Sequence, residues 1–354
     1  MALTSAAGIL SFGPQTAKGV TATTFYRHRA VDIDLSINDD VRLGQLEVGG
    51  VPVPTFPYKA GYIIGGGAVL QPRLQDTFGW LLYGAMGKCT SVADDDPSDS
   101  GIYEHTFEML STDASYVPWM TFRKVIPRKD GVATTDLGET YTDCKVLGLG
   151  FQMPTDAPLT ARVDVIGRTF ELDTDPTLFS YANTFEDWQS IPVACMTGGH
   201  LKIGGVTLPI AGASFAWTNQ PLDPRAERVY GSPALDDVTI LSRQLAFDII
   251  VKYNDPDLYR EVLTGSSSGT VWSGEPMVGS FDAKMVSAKN MPSLAEPYSL
   301  QVEAADAMMT QVGGIRLAAG QAVMMRFQGT IIEGTGTYAT MKLRNKVASY
   351  VWPV

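Results

Sequence analysis

The sequence predicts an all-β protein made of two tandem domains, each carrying one short α-helix. Three observations predict it. Many short segments alternate apolar and polar residues, the period of a half-buried strand. Gly (35) and Pro (21) are abundant, which suits many turns and few long helices. A set of landmarks also recurs at about half of the 354-residue length.

Along the first half, V-D-I-D-L-S-I-N places Val31, Ile33, Leu35 and Ile37 on one strand face, with Asp32, Asp34 and Ser36 opposite and Asn38 at the end. Gly49 and Gly50 lie between apolar runs and predict a tight hairpin turn, where φ > 0 is needed. The stretch G-Y-I-I-G-G-G-A-V from Gly61 lacks the G-K-[ST] of a phosphate loop and reads as a glycine-marked bend entering a strand. D-T-F-G-W-L-L-Y-G-A-M-G predicts a helix with an acidic N-cap at Asp76 and a C′ glycine at Gly87. A polar loop follows from Ala93 to Gly101, and L-T-A-R-V-D-V-I then sets Leu159, Ala161, Val163 and Val165 against Arg162 and Asp164. Leu172 to Trp188 has turn residues and no clean period, so it reads as the connection, with domains expected at 1–175 and 176–354.

The second half repeats these habits. Gly204–Gly205 predicts another tight turn, and Q-L-A-F-D-I-I-V-K-Y turns Leu245, Phe247, Ile249, Val251 and Tyr253 inward with Asp248 and Lys252 outward. A second helix is expected from Asp255, with Pro256 at its first position, to Gly265. A polar loop from Thr264 to Gly269 follows. Gln301 and Glu303 face out from S-L-Q-V-E-A, as Lys342 and Arg344 do from T-Y-A-T-M-K-L-R. Four landmarks keep one offset: Asn38 and Asn219 (181 apart, 219 − 38), V-G-G-V-P and V-Y-G-S-P (181, 229 − 48), Asp76 and Asp255 (179, 255 − 76), Gly87 and Gly265 (178, 265 − 87). Four matches in order at near-constant spacing point to a duplicated domain.

Composition narrows the function. Apolar residues make up 45% and charged ones 18%, enough for a real core. A net charge of −11 disfavours gripping nucleic acid or an anionic membrane, because both need clustered Lys and Arg. Cys89, Cys144 and Cys195 are odd in number with no C-x-x-C, so neither a disulfide framework nor a zinc site is expected. The start M-A-L-T-S-A-A-G-I-L has no basic stretch, and no apolar run approaches the ~18 residues of a membrane span. Synthesis and folding in a cytoplasm, with reduced thiols, is the expectation. His28, His105 and His200 are scattered and give a catalytic triad or metal site little to build on. Asp94, Asp95, Asp96 and Asp99 lack the spacing of a calcium loop. No enzyme, metal or cofactor is therefore expected.

The order of segments also resembles a known family. The first half reads D-T-F-G-W-L-L-Y-G-A-M-G, I-Y-E-H-T-F, V-P-W-M-T-F-R, Y-T-D-C-K-V-L-G-L-G-F and L-T-A-R-V-D-V-I-G-R. The second has T-N, then R-V-Y-G-S-P-A-L-D-D-V-T-I-L-S-R, then D-L-Y-R-E-V-L-T-G. This arrangement is similar to the tail tube proteins of long-tailed bacteriophages. The resemblance implies two tandem β-sandwich or partial-barrel tail-tube domains with one short helix each, and a structural virion protein assembled in the host cytoplasm. Chains with two such domains form trimeric, pseudo-hexameric rings that stack into a tube for DNA ejection. It implies homo-oligomers, contacts with tape measure, terminator and distal tail proteins, and DNA that passes without specific binding or any membrane role.

On that reading Asp32, Asp34, Asp164, Asp248 and Glu303 are candidates for an acidic, DNA-repelling channel lining, since they face away from their apolar neighbours. Leu10, Phe12, Tyr350 and Trp352 in the terminal arms, and Asp94, Asp96, Asp99, Ser266 and Ser268 in the long loops, are candidates for ring stacking and inter-subunit contact. Two other readings stay open. A two-domain carbohydrate-binding or adhesin-like β protein would show clustered surface Trp or Tyr, and a tail terminator or distal tail protein would form a single ring.

Overall fold

The computed structural model describes residues 8–46, 48–51, 53–54, 56–94, 101–110, 112–113, 115–128, 136–173, 175–193, 196–253, 257–311, 315, 322–333 and 338–353. It is an all-β fold with two short α-helices. The first half runs β1 (Ile9–Pro14), β2 (Tyr26–His28), β3 (Ala30–Ile33), β4 (Ser36–Leu43), β5 (Pro57–Leu70), α1 (Thr77–Met86), β6 (Lys88–Ala93), β7 (Tyr103–Glu108), β8 (Met120–Ile126), β9 (Leu137–Pro154), β10 (Thr160–Gly167) and β11 (Thr169–Asp173). The second half runs β12 (His200–Ile203), β13 (Val206–Thr207), β14 (Ile210–Pro221), β15 (Ile240–Lys252), α2 (Asp257–Thr264), β16 (Met277–Asn290), β17 (Pro297–Gln311), β18 (Met324–Ile331) and β19 (Thr340–Asn345).

Among the described residues every strand pairing is antiparallel, and the pairing order occurs twice. In the first half β4 pairs β5, β5 pairs β10, β10 pairs β9, β9 pairs β8 and β8 pairs β1. In the second half β14, β15, β18, β17, β16 and β12 pair in the same succession. The halves join edge to edge where β14 pairs β9, with Phe215 opposite Phe151 and Ala216 opposite Gly150. A second junction forms where β7 pairs β19.

The expected alternation holds on the central strands. Leu159, Ala161, Val163 and Val165 are buried, as are Leu245, Phe247, Ile249 and Val251, and Leu300, Val302 and Ala304. A file of phenylalanines carries the core across the junction: Phe78–Phe151 at 6.1 Å, Phe151–Phe215 at 6.2 Å, Phe215–Phe281 at 6.1 Å and Phe281–Phe247 at 4.7 Å between ring centres. The turn at Gly204–Gly205 is as expected, with φ of 56° and 81° closing Ile203 onto Val206.

Three local expectations fail for tertiary reasons. The run Val31–Ile37 is two strands, because the N–H groups of Asp34 and Leu35 both donate to the Gly67 carbonyl at 3.0 and 3.1 Å. That break leaves Val31 exposed and Leu35 buried. Asn38 lies within β4, not at a strand end. Gly49 has the expected positive φ, but β4 and β5 are joined through 44–56 and not by a two-residue turn. Leu172, expected in the connection, ends up in β11 on the edge of β9.

Helix α1 is where distant segments converge. Asp76 occupies the N-cap position without a side-chain capping bond, and the Thr77 N–H is instead taken by Glu186 Oε1 at 2.6 Å. Gly87 closes the helix at φ 102° as expected. The Ala85 carbonyl accepts from Asn219 Nδ2 at 3.0 Å and the Met86 carbonyl from Arg243 Nη1 at 2.8 Å, both from the second half. Asn219 Nδ2 also donates to the Val146 carbonyl at 2.8 Å, and its Oδ1 accepts from Trp217 Nε1 at 3.0 Å. From the C-terminal segment, Tyr350 OH donates to the Asp76 carbonyl at 2.7 Å. The second helix ends at Gly265 with φ 73° as expected, while Asp255 and Pro256 lie outside the described residues.

Asn219→Ala should cost at least about 3 kcal/mol in chemical denaturation, because it orphans two buried carbonyls and the Trp217 N–H together. A loss under about 1 kcal/mol would show that water replaces the amide there. Burial pushes the Glu186 carboxyl up to about 7 from 4.5, with the neighbouring Asp76 adding to it. Folding therefore favours its protonated form, so this stabilisation is complete below pH 4.5 and is lost as pH rises toward 7. In Glu186→Gln the part of the fall owed to this carboxyl, about 3 kcal/mol, should disappear and leave only the part owed to Asp76, which burial raises to about 6. Denaturation at several pH values checks this, and an unchanged slope would assign it elsewhere.

Candidate assembly and channel surfaces

The sheet formed by β10, β9, β14, β15 and β18 turns its large apolar side chains into the core. Its other face forms an open trough of about 700 Å³ that spans the junction of the halves. The trough floor is nearly bare backbone, because Gly148, Gly150, Ala216 and Ala246 stand where longer side chains would project. Polar residues line the rest, among them Gln152, Thr160, Ser214 and Gln328. Asp164 from the first half and Asp248 from the second line this same trough.

Most of the candidate acids carry a cation. Arg162 Nε donates to Asp164 Oδ1 at 2.8 Å, and its Nη2 donates to Asp34 Oδ2 at 2.8 Å. Asp34 Oδ1 also accepts the Gly67 N–H at 2.6 Å, so the residue that breaks the β3–β4 run also anchors this triad. The Arg162 guanidinium holds the Asp34 carboxyl below its ordinary range. Asp248 is gripped by Arg326, with Nε at 2.9 and 3.0 Å from its two oxygens, and by Gln328 Nε2 at 2.9 Å. Arg326 lowers the Asp248 carboxyl in the same way. Glu303 lies outside the trough lining and pairs with Lys342 at 2.8 Å. Asp32 is exposed and forms no ion pair among the described residues. The wall is polar, yet much of its charge is internally balanced.

The terminal candidates sit inside the subunit. Leu10 and Phe12, at 3% and 0% exposure, belong to β1, inserted between β2 and β8. Tyr350 is 3% exposed and stands edge-on to Trp80 at 5.3 Å. Trp352 packs on Tyr83 at 4.8 Å and donates Nε1–H to the Gln15 carbonyl at 2.9 Å. Spent on the core, Leu10, Phe12 and Tyr350 have little surface to offer a neighbour. Asp94 is bound by Arg344, and Asp96 and Asp99 lie outside the described residues. Ser266 and Ser268 are exposed on the loop after α2, their hydroxyls 3.3 Å apart.

A projecting apolar arm went unread in the sequence. Beyond the paired part of β4 and β5, Leu43, Leu46, Val48, Val51, Val53 and Phe56 are all more than half exposed. The corresponding loop between β14 and β15 exposes Val229 and Tyr230. The signal was available: an apolar run around Gly49–Gly50 with few polar residues on either face has nothing nearby to bury it. Among the described residues no three His, Cys, Asp or Glu side chains gather where a metal could be held, and no helix is long and apolar enough to cross a membrane.

A family model described as phage tail tube protein matches residues 6–315. The chain belongs to the phage tail tube family. No curated protein gave a match. As a tail tube protein it is a structural component of the virion tail and assembles as a multimer with other tail proteins. The paired charges, the bare trough and the apolar arm are therefore features of a tail tube protein's surface.

Removing the shared cation by Arg162→Gln should let the Asp34 carboxyl rise back toward its ordinary value, read by NMR titration of labelled aspartates. An unmoved titration would show that the Gly67 N–H, not Arg162, sets it.

Proposed function

We propose that this chain is the major tail tube subunit, two tandem tube domains at 1–175 and 176–354 arising by duplication, which forms trimeric, pseudo-hexameric rings stacked into a DNA-ejection channel. The observation that carries this reading is the β9–β14 seam. It joins two halves of matching strand order into one continuous sheet with a trough on the non-core face. The free edge of β4, equivalent to β14, is offered to the second half of the next chain. Three chains then place six similar units in a ring, a closed heterologous assembly that also hides the edges.

Asp164, Asp248, Asp34 and Asp32 would then face the lumen, with Glu303 further round the wall. A floor of glycine and alanine gives a passing duplex few groups to grip. Since most acids there are paired, repulsion comes from the small surplus of negative charge and acts within the ~8 Å Debye length. DNA passes without specific binding, consistent with a net charge of −11. Stacking falls to the apolar arm between β4 and β5, with the 222–239 loop and the loop carrying Ser266 and Ser268 as further contacts. Tape measure, terminator and distal tail proteins are the partners, and assembly takes place in the host cytoplasm.

Negative-stain electron microscopy of the purified protein across a concentration series tests the reading. Tubes or stacked rings with threefold or pseudo-sixfold end views are expected, and monomers at every concentration would overturn it. Replacing Leu46, Val48, Val51 and Val53 together by Ser should leave rings and abolish tubes. Tubes of normal length from that variant would remove the arm from stacking.

A further inference from the structure

The two helices occupy corresponding places and have unlike surroundings. Nine of the ten residues of α1 are buried, whereas only Val262 of α2 is. The cover on α1 comes from within the chain by a specific route. The segment that follows α1 folds into the β6–β7 hairpin, and β7 adds to the outer edge of β19. The residues after β19 then return across α1, placing Tyr350 and Trp352 against Trp80 and Tyr83.

The counterparts of these parts are present and unmatched. The strand equivalent to β19 is β11, since each follows the β10 or β18 strand and pairs the N-terminal part of β9 or β17. Among the described residues β11 pairs with β9 alone, and its other edge is open. Leu172 on that strand and Leu178 in the turn after it are 58% and 77% exposed. The segment equivalent to the β6–β7 hairpin is the loop 265–276. Its base is tied down, the Ser273 N–H donating to the Leu263 carbonyl at 3.0 Å, while Val271 and Trp272 stand 78% and 76% exposed. Beside α2 lies an open cleft of about 640 Å³ lined by Val206, Leu208, Leu258 and Met277.

We infer that these surfaces meet between copies of this chain. The loop 265–276 of one subunit, anchored by Trp272, lies along the β11 edge of its neighbour, and the neighbour's Leu178 turn covers α2. The contact repeats between chains what β7, β19 and the C-terminal segment do within one. It rests on the ring reading above and names the residues that hold adjacent subunits together. An exposed Trp on one surface and an open strand edge on the other are also features expected of two faces that meet in an interface.

The test is site-specific photocrosslinking in assembled tubes. Trp272 is replaced by p-benzoylphenylalanine, and the variant is co-assembled with isotope-labelled wild-type chain. The expected result is an interchain adduct mapped by mass spectrometry to residues 169–178. Tubes that form normally but give adducts only within a chain, or elsewhere on the partner, would overturn this inference and leave the ring reading standing. Failure of the wild-type protein to assemble at any concentration would overturn both. As a second readout, Trp272→Ala should raise the concentration needed for ring formation about tenfold, with an unchanged melting temperature at concentrations where both chains are monomeric. An unchanged assembly threshold would count against the contact.

Discussion

The carbonyls at the C-terminal end of α1 set the constraint on which the subunit depends. A helix leaves its last carbonyls without intrahelical donors, and burying such a group unsatisfied costs about 1–3 kcal/mol. Here the donors are Asn219 and Arg243, which reach α1 from the second half. The same Asn219 amide holds the Val146 carbonyl of β9, the strand that pairs β14. Separating the halves would therefore orphan the helix end, open the seam and expose the phenylalanine file in one step.

That constraint also makes β9 do two jobs. Its N-terminal part pairs β8 and β11, and its C-terminal part pairs β10 and β14. Between them sits Asp143, a buried non-glycine residue at φ 56°, held by the Gly19 N–H at 2.6 Å and Arg168 at 2.5 Å. Strained backbone of this kind persists where its surroundings over-determine it. The bend lets one strand close the first half's core and also supply the floor of the trough. The large residues of β9 face the core, which leaves Gly148 and Gly150 on the trough side.

The two halves share a pairing order but differ in how complete they are. The first has its helix covered by the hairpin after it and by the chain's own C-terminal segment. The second leaves its helix only partly covered, with Val262 alone fully buried, and exposes an aromatic loop. A unit with one satisfied and one unsatisfied copy of the same junction has a direction: its open side can be filled by the closed side's counterpart on another copy. This asymmetry suits assembly of identical chains into a multimer, and on the proposed reading into a closed ring.

What the sequence determined by itself was local and periodic. The alternation at Leu159–Val165, Leu245–Tyr253 and Leu300–Ala304 placed inward and outward faces correctly, because a two-residue period needs no knowledge of the partner strand. The glycines at 87, 204–205 and 265 marked helix ends and a turn, since few other residues take those angles. Segment order was enough to suggest the family. Only the tertiary structure decided which faces stay open. Leu10, Phe12 and Tyr350 looked like free arms and are core, because β8 and α1, far away in the chain, cover them. Gly49–Gly50 looked like a tight hairpin turn, and the apolar residues around it, Leu43, Leu46, Val48, Val51, Val53 and Phe56, stand uncovered. The outward acids were readable, but their pairing with Arg162, Arg326 and Lys342 was not. Period fixes the side of a strand, whereas its neighbour across the sheet is set by register between segments up to hundreds of residues apart.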